Sequence, residues 1–388
     1  MTFWSVERVA HFTMTHNGNS TSGPASNGHG MPAPRLVFWE ATAGCNLACR
    51  HCRRLEVSQA LSARDLTTEQ VRRHLIDGLA AVGKSVLVCS GGEPLLRPDL
   101  FILAEYARTQ GLPIALASNG TLIDEAMADR IVHANFERVA VSLDGADAVT
   151  HDAFRQQRGA FDGAVRGIQL LRARGMSLQV NSTVTQHNVG QLDALYQLVM
   201  ALGVDAWHVF MFVPVGCGLE IPENQQLAAA QYETVLQWLA DRATDQRLFV
   251  RATCAPQYFR ILATRRTLGR VQGGAKFATL TKGCLAGTGI CFISHTGEVF
   301  PCGYLPVSSG NITHMPFADI WQQSDVFAAL RDPERLEGKC GICEFKRLCS
   351  GCRARAYAIS GDVLAEEPCC AYHPAADSTA PPAHDHLV

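Results

Sequence analysis

Along residues 36–213, short runs of apolar and β-branched residues alternate with stretches in which apolar positions recur every three or four residues. The runs Leu36–Trp39, Ser85–Cys89, Ile114–Ala117, Arg138–Leu143, Leu178–Thr183 and Ala206–Val213 predict strands. Between Thr68 and Val82, the residues Val71, Leu75, Leu79 and Val82 fall on one helical face, with Thr67 or Thr68 placed to cap it. Similar periods predict helices over Asp99–Thr109, Asp124–Ala134, Phe161–Arg174, Val189–Leu202 and Gln231–Arg242. Strands separated by helices of this length need right-handed crossovers and therefore a parallel sheet. Six such strands in roughly 180 residues predict an α/β fold, a partial, open (β/α)6 barrel. No GxGxxG or GxxxxGK[ST] phosphate loop interrupts the pattern.

The pattern fails at both ends. Residues 1–34 and 374–388 are rich in Ser, Gly, Asn, Pro and Ala and predict disordered extensions. The barrel is expected over 35–245, a linker or substrate-side segment over 246–283, and a separate cysteine-rich domain over 284–373 with little regular structure. Thirty-four basic residues against 36 acidic, with no long run of either sign, count against nucleic acid as a partner. No apolar run is long enough to cross a membrane, and the N-terminus lacks the apolar core of a secretory signal, so a cytoplasmic protein is expected.

The outlier is cysteine. The chain has 15, an odd number, and in a reducing compartment they are not expected to pair as disulfides. Cys45, Cys49 and Cys52 stand together just past the first strand, and nine more lie between Cys284 and Cys370. Thiolates so grouped point to metal. Three within eight residues can hold three irons of a [4Fe–4S] cube and leave the fourth open, whereas zinc usually takes four ligands. In the later group, Cys340-x2-Cys343 and Cys349-x2-Cys352 lie only five residues apart, too close for an ordinary zinc ribbon. Cys89 reads as a small buried apolar residue.

The Cys45-x3-Cys49-x2-Cys52 loop resembles the hallmark of the radical SAM superfamily, with His51 where an aromatic residue is usual. Ser90-Gly91-Gly92-Glu93-Pro94 resembles that family's GGE motif, and Ser142-Leu143-Asp144-Gly145 with Arg155 its SxDG…R stretch. The resemblance implies a [4Fe–4S] cluster on Cys45, Cys49 and Cys52 that cleaves S-adenosylmethionine to a 5′-deoxyadenosyl radical. It further implies that His51, Gly91, Gly92, Glu93, Asn119, Ser142 and Arg155 hold the nucleotide.

Cys284 to Cys370 resembles the SPASM extension, which carries two auxiliary [4Fe–4S] clusters. That resemblance implies one cluster on Cys284, Cys291, Cys302 and Cys352, and another on Cys340, Cys343, Cys349 and Cys370, with Cys369 a rival for the last place. Across residues 35–374 the chain is similar to the tetrapyrrole branch of these enzymes, as in Trp39–Arg53, Ala252–Arg260, Gly283–Pro306 and Cys352–Pro368. The branch implies oxidative decarboxylation of the propionates of iron-coproporphyrin III to vinyl groups, giving heme b, with a flavodoxin- or ferredoxin-type electron donor. A peptide or protein maturase is the alternative from the same mechanistic class.

Such a substrate carries carboxylates. Arg251, Arg260, Arg265, Arg266 and Arg270, interleaved with Tyr258 and Phe259, could receive them or could form a solvated amphipathic helix. His208 and Cys254 are further candidates for axial or carboxylate contacts.

Overall fold

The computed structural model describes residues 31–54, 59–265 and 282–375. The C-terminal tail from residue 376, most of the N-terminal extension, Arg266 and Arg270 lie outside the described residues.

All six expected strands form: β1 Leu36–Thr42, β2 Val86–Gly91, β3 Ile114–Ser118, β4 Arg138–Ser142, β5 Leu178–Val184 and β6 Ala206–Met211. They pair in parallel in chain order. A seventh parallel strand, β7 Phe249–Thr253, joins β6 within the stretch expected to be a linker, and a helix follows at Gln257–Thr264. Arg251 hid this strand. Only its outward residues, Val250 and Ala252, are apolar and buried, so the run is too short and mixed to read as a strand.

The cysteine-rich region joins the same sheet instead of standing apart. β8 Ile290–Ile293 pairs in parallel with β1, and β9 Glu298–Phe300 and β10 Gly310–Asn311 continue antiparallel, giving the order β10-β9-β8-β1-β2-β3-β4-β5-β6-β7. No pairing joins β7 to β10 among the described residues, so the barrel is open. The region is also more regular than expected, with short helices at Phe317–Gln323, Asp325–Arg331, Gly338–Ile342 and Arg353–Ser360. Phe317, Ile320, Trp321 and Phe327 hold its first half to the barrel core, so that half does not rely on metal alone.

Alternation along the strands sorts the two faces. Val37, Leu116, Val139, Val180, Trp207 and Val250 face outward into a core shared with Leu75, Ile131, Ile168 and Leu236 of the helices. The intervening residues, among them Glu40, Ser142, Asn181, His208, Phe210 and Arg251, face inward. The predicted helix over 68–82 forms as Thr68–Gln70, a π-helical Val71–Ile76 and Asp77–Val82. Thr67 caps it through a reciprocal pair with Gln70.

Candidate functional site

The loop carrying Cys45, Cys49 and Cys52 leaves the carboxyl end of β1 and is bound to the end of β2. The amide of Gly92 donates to the Thr42 carbonyl at 2.9 Å, and that of Glu93 to the Gly44 carbonyl at 2.8 Å. A Cβ on Gly92 would stand 2.1 Å from the Gly44 oxygen. Gly91 has φ +137°, and a Cβ there would stand 2.6 Å from the Thr42 oxygen. In this structure the two glycines admit the cysteine loop itself against the sheet edge.

The three thiols lie within one another's electrostatic reach, and burial raises the pKa of each, that of Cys45 to about 12. Among the described residues, no three His, Cys, Asp or Glu side chains converge tightly enough to grip a single metal ion. Donors already face the sulfurs. Leu47 N–H reaches Cys45 Sγ at 3.4 Å, and Arg155 Nη1 reaches Cys49 Sγ at 3.7 Å. Hydrogen bonds of this kind tune an iron–sulfur cluster.

Arg155 is held in place by Asp144, a fully buried carboxylate 2.6 Å from its Nη2. Burial opposes the charge on Asp144, but the Arg155 guanidinium beside it outweighs this and keeps its pKa low. His51 Nε2 lies 3.5 Å from the same carboxylate. Its ring stacks on Phe154 at 4.1 Å, and Phe154 stacks on His187. Burial lowers the His51 pKa to about 3, so the imidazole is neutral, and its Nδ1 is buried with no partner. His51 thus supplies a flat, packed ring where the family motif has an aromatic residue.

Glu93 is completely buried, and both its oxygens are taken. Leu95 N–H and Ser118 Oγ donate to one, and Asn119 N–H to the other at 2.8 Å. Burial lifts its pKa to about 7 despite these donors. Asn119 in turn donates to Asn46 Oδ1, one residue after Cys45. Both residues therefore brace the loop, and in this structure Glu93 has no free oxygen to offer a ligand. Ser142 ends β4 on the inner face.

Glu40, absent from the sequence-based candidates, ties the regions together. Arg53 and Arg54 at the end of the cysteine loop, and His295 beyond β8, all converge on its carboxylate at 2.6–2.7 Å. Burial opposes its charge, yet the three cationic or donor partners hold its pKa below the usual carboxylate range. Arg53 also lies 4.1 Å over the ring of Phe292 on β8.

The expected first auxiliary set is not brought together as a whole. Cys284, Cys302 and Cys352 do share one buried cluster with Ala286, Leu305 and Ala354. Cys291 does not join them: it points outward from β8 opposite Val37, into the helix-side core, and no cysteine affects its titration. The side-chain period of two is the cause, since Cys291 and Ile293 must share a face. Cys254 stands in its place, just past β7, within electrostatic reach of Cys352, Cys302 and Cys284.

Arg355 locks this arrangement. Its guanidinium donates to the Cys254 and Phe212 carbonyls and to both oxygens of Glu367 at 3.0 Å, while Glu367 accepts the Cys352 amide at 2.7 Å. Removing either partner would strand a buried charge, at a cost of about 3–5 kcal/mol. Cys254 has φ +56°, a left-handed conformation that costs a residue with a Cβ about 1–3 kcal/mol.

The second auxiliary set does converge. Cys340, Cys343, Cys349 and Cys370 line one cavity with Gln257, Arg260 and Gly351, and Cys369 is not among its lining residues. Glu367 N–H and Arg353 Nη2 face Cys340 Sγ, and Gly351 N–H faces Cys349 Sγ. A Cβ on Gly351, which has φ +60°, would stand 2.5 Å from Arg353 Nη2 and 3.2 Å from Cys340 Sγ.

The arginine run divides. Arg251 lies on β7, Arg260 borders this cavity and pairs with Glu233 at 2.5 Å, and Arg265 pairs with Asp241 on the exposed side. Tyr304, which sequence reasoning missed, lies between the first cysteine loop and the Cys254 group, with Cys52, Cys254 and Cys302 all within its electrostatic reach. Its ring meets Phe210 of β6 at 6.5 Å.

Comparison with known proteins agrees with this geometry. Residues 39–199 match the radical SAM superfamily, and residues 284–353 an iron–sulfur cluster-binding domain of the SPASM type. The chain is 47% identical to an AdoMet-dependent heme synthase of Methanosarcina barkeri, over 88% of this chain and 97% of that protein. It is 42% identical to the AdoMet-dependent heme synthase of Nitratidesulfovibrio vulgaris, over 91% and 96%. Among solved structures it resembles Streptococcus suis SuiB bound to its precursor peptide SuiA, with a TM-score of 0.68, 16% identity, and coverage of 88% of this chain and 77% of that one. At that identity the likeness concerns the fold alone.

Proposed function

Because this chain belongs to the radical SAM superfamily, in the family of the AdoMet-dependent heme synthases, we propose that it makes heme by oxidatively decarboxylating two propionates of iron-coproporphyrin III to vinyl groups. The observation that carries the reading is the pairing of a three-cysteine loop at the carboxyl end of β1 with two four-cysteine groups near the same barrel. When bound, S-adenosylmethionine and the clusters supply one-electron chemistry: abstraction of hydrogen from carbon and removal of the electron left behind.

The residues' own work is placement and insulation. Cys45, Cys49 and Cys52 would hold the first cluster, with Arg155, fixed by Asp144, offering positive charge beside Cys49. Glu93, Asn119, His51, Gly91, Gly92 and Ser142 border the nucleotide's place. Cys254, Cys284, Cys302 and Cys352 would hold one auxiliary cluster, and Cys340, Cys343, Cys349 and Cys370 the other. Four thiolates each leave no iron open, which suits electron transfer. The Glu40 clamp binds the cysteine loop to the β8 region.

Two heme synthases matched over nearly their whole length support a tetrapyrrole over a peptide substrate. The reading places the enzyme in the cytoplasm, served by a flavodoxin- or ferredoxin-type donor. No helix among the described residues is long and apolar enough to cross a membrane. Incubating the reduced, anaerobic protein with S-adenosylmethionine and iron-coproporphyrin III should yield a product lighter by two formic-acid equivalents. Formation of 5′-deoxyadenosine with the porphyrin mass unchanged would refute the proposal.

A further inference from the structure

We propose that Arg251, His208 and Tyr258 form a buried subsite that binds one carboxylate of the substrate. The register of the sheet places it. Ser142 is opposite Asn181, Asn181 opposite His208, and His208 opposite Arg251, a row of inward residues running sideways from the SxDG turn across β4, β5, β6 and β7. Phe210 lies one inward step closer to the carboxyl end of β6, about 7 Å along the strand, where it meets Tyr304 between the two cysteine sites. An aromatic level thus lies nearer the chemistry, with a polar level beneath it.

That polar level lacks an acceptor. Among the described residues no carboxylate pairs with Arg251. Tyr258 lies within its electrostatic reach, and the ring of Phe259 is 5.4 Å from its guanidinium carbon. His208 Nε2 and the Tyr258 hydroxyl are both buried without a hydrogen-bond partner. The charged neighbours of His208, Arg251 and Arg138, are both cationic. Burial lowers the His208 pKa to about 3 and that of Arg251 to about 10, so the level holds a neutral imidazole and a guanidinium that has been desolvated without a counter-ion. Buried charges are normally paired. The missing component is an anion with two acceptor oxygens, which a guanidinium fork binds in parallel while an imidazole N–H or a phenol O–H takes the remaining lone pairs. Both His208 and Arg251 keep some accessible surface, so a ligand's arm can reach them.

This inference rests on the heme synthase reading, and the test separates the two. Binding of iron-coproporphyrin III and of its tetramethyl ester, which keeps the shape but not the charges, is measured by absorbance titration. The wild-type protein, Arg251→Gln and Arg251→Lys are compared. Arg251→Gln should weaken binding of the free acid about ten- to a hundredfold while leaving the ester nearly unchanged, and Arg251→Lys should recover part of the loss. Without substrate, Arg251→Gln should keep its iron content and melt no lower than wild type, because it removes an uncompensated charge. Equal loss for acid and ester, no loss for either, or a clearly lowered melting temperature would overturn the subsite. If the wild-type protein binds neither porphyrin, the heme synthase reading itself falls and the subsite with it.

Discussion

Replacing Cys45 by alanine should remove about four of about twelve iron atoms per chain and abolish 5′-deoxyadenosine formation, leaving the other two clusters in place. Ligand geometry makes the effect this large. The loop itself supplies three thiols, so loss of one leaves two in it; Cys217 lies within electrostatic reach of Cys49 and Cys52, and Arg155 and the Leu47 amide can donate to sulfur but cannot ligate iron. The fold should survive, because the loop is also tied by Asn46 to Asn119 and by Arg53 and Arg54 to Glu40. Iron analysis and chromatography of the nucleotide products check both halves. Retention of S-adenosylmethionine cleavage would exclude Cys45 as a ligand.

The second large effect separates Cys291, which the sequence resemblance assigns to the first auxiliary set, from Cys254, which the structure puts in its place. Cys254→Ala should cost the protein about four irons and all conversion of the porphyrin, while S-adenosylmethionine is still cleaved. Cys291→Ala should retain the full iron content and lose only the packing of a small buried side chain, about 1 kcal/mol in stability. The contrast follows from placement. Cys254 shares a buried cluster with Cys284, Cys302 and Cys352, whereas Cys291 sits in the helix-side core beside β1. Because cluster binding contributes to folding, Cys254→Ser is the companion variant if the alanine form is insoluble. Iron lost on changing Cys291 and kept on changing Cys254 would reverse the assignment.

Much of this was legible in the chain. The six strands and their order follow from apolar runs alternating with helical periods, and the three-cysteine loop and the GGEP turn identify themselves by spacing. What escaped lies where long-range packing decides. β7 carries Arg251 on its inward face, so a strand reads as linker. Cys254 lies 30 residues before Cys284, beyond any local pattern, and long-range contacts such as that of Arg355 draw it to Cys352. Cys291 fits the spacing but not the geometry. Ile290–Ile293 is apolar at every position, so the sequence carries no alternation to show that Cys291 points away from the inner face. Glu40 and Asp144 were within quoted motifs, yet a buried carboxylate's partners are not visible until distant arginines and histidines are brought to it.

The central claim, an iron cube on Cys45, Cys49 and Cys52 with a corner free for a ligand, has one direct test. Electron paramagnetic resonance spectra of the reduced, anaerobic wild-type protein are recorded with and without S-adenosylmethionine. One of three cluster signals should change on addition, and that change should be missing in Cys45→Ala. A wild-type spectrum that stays the same when the nucleotide is added would contradict the account.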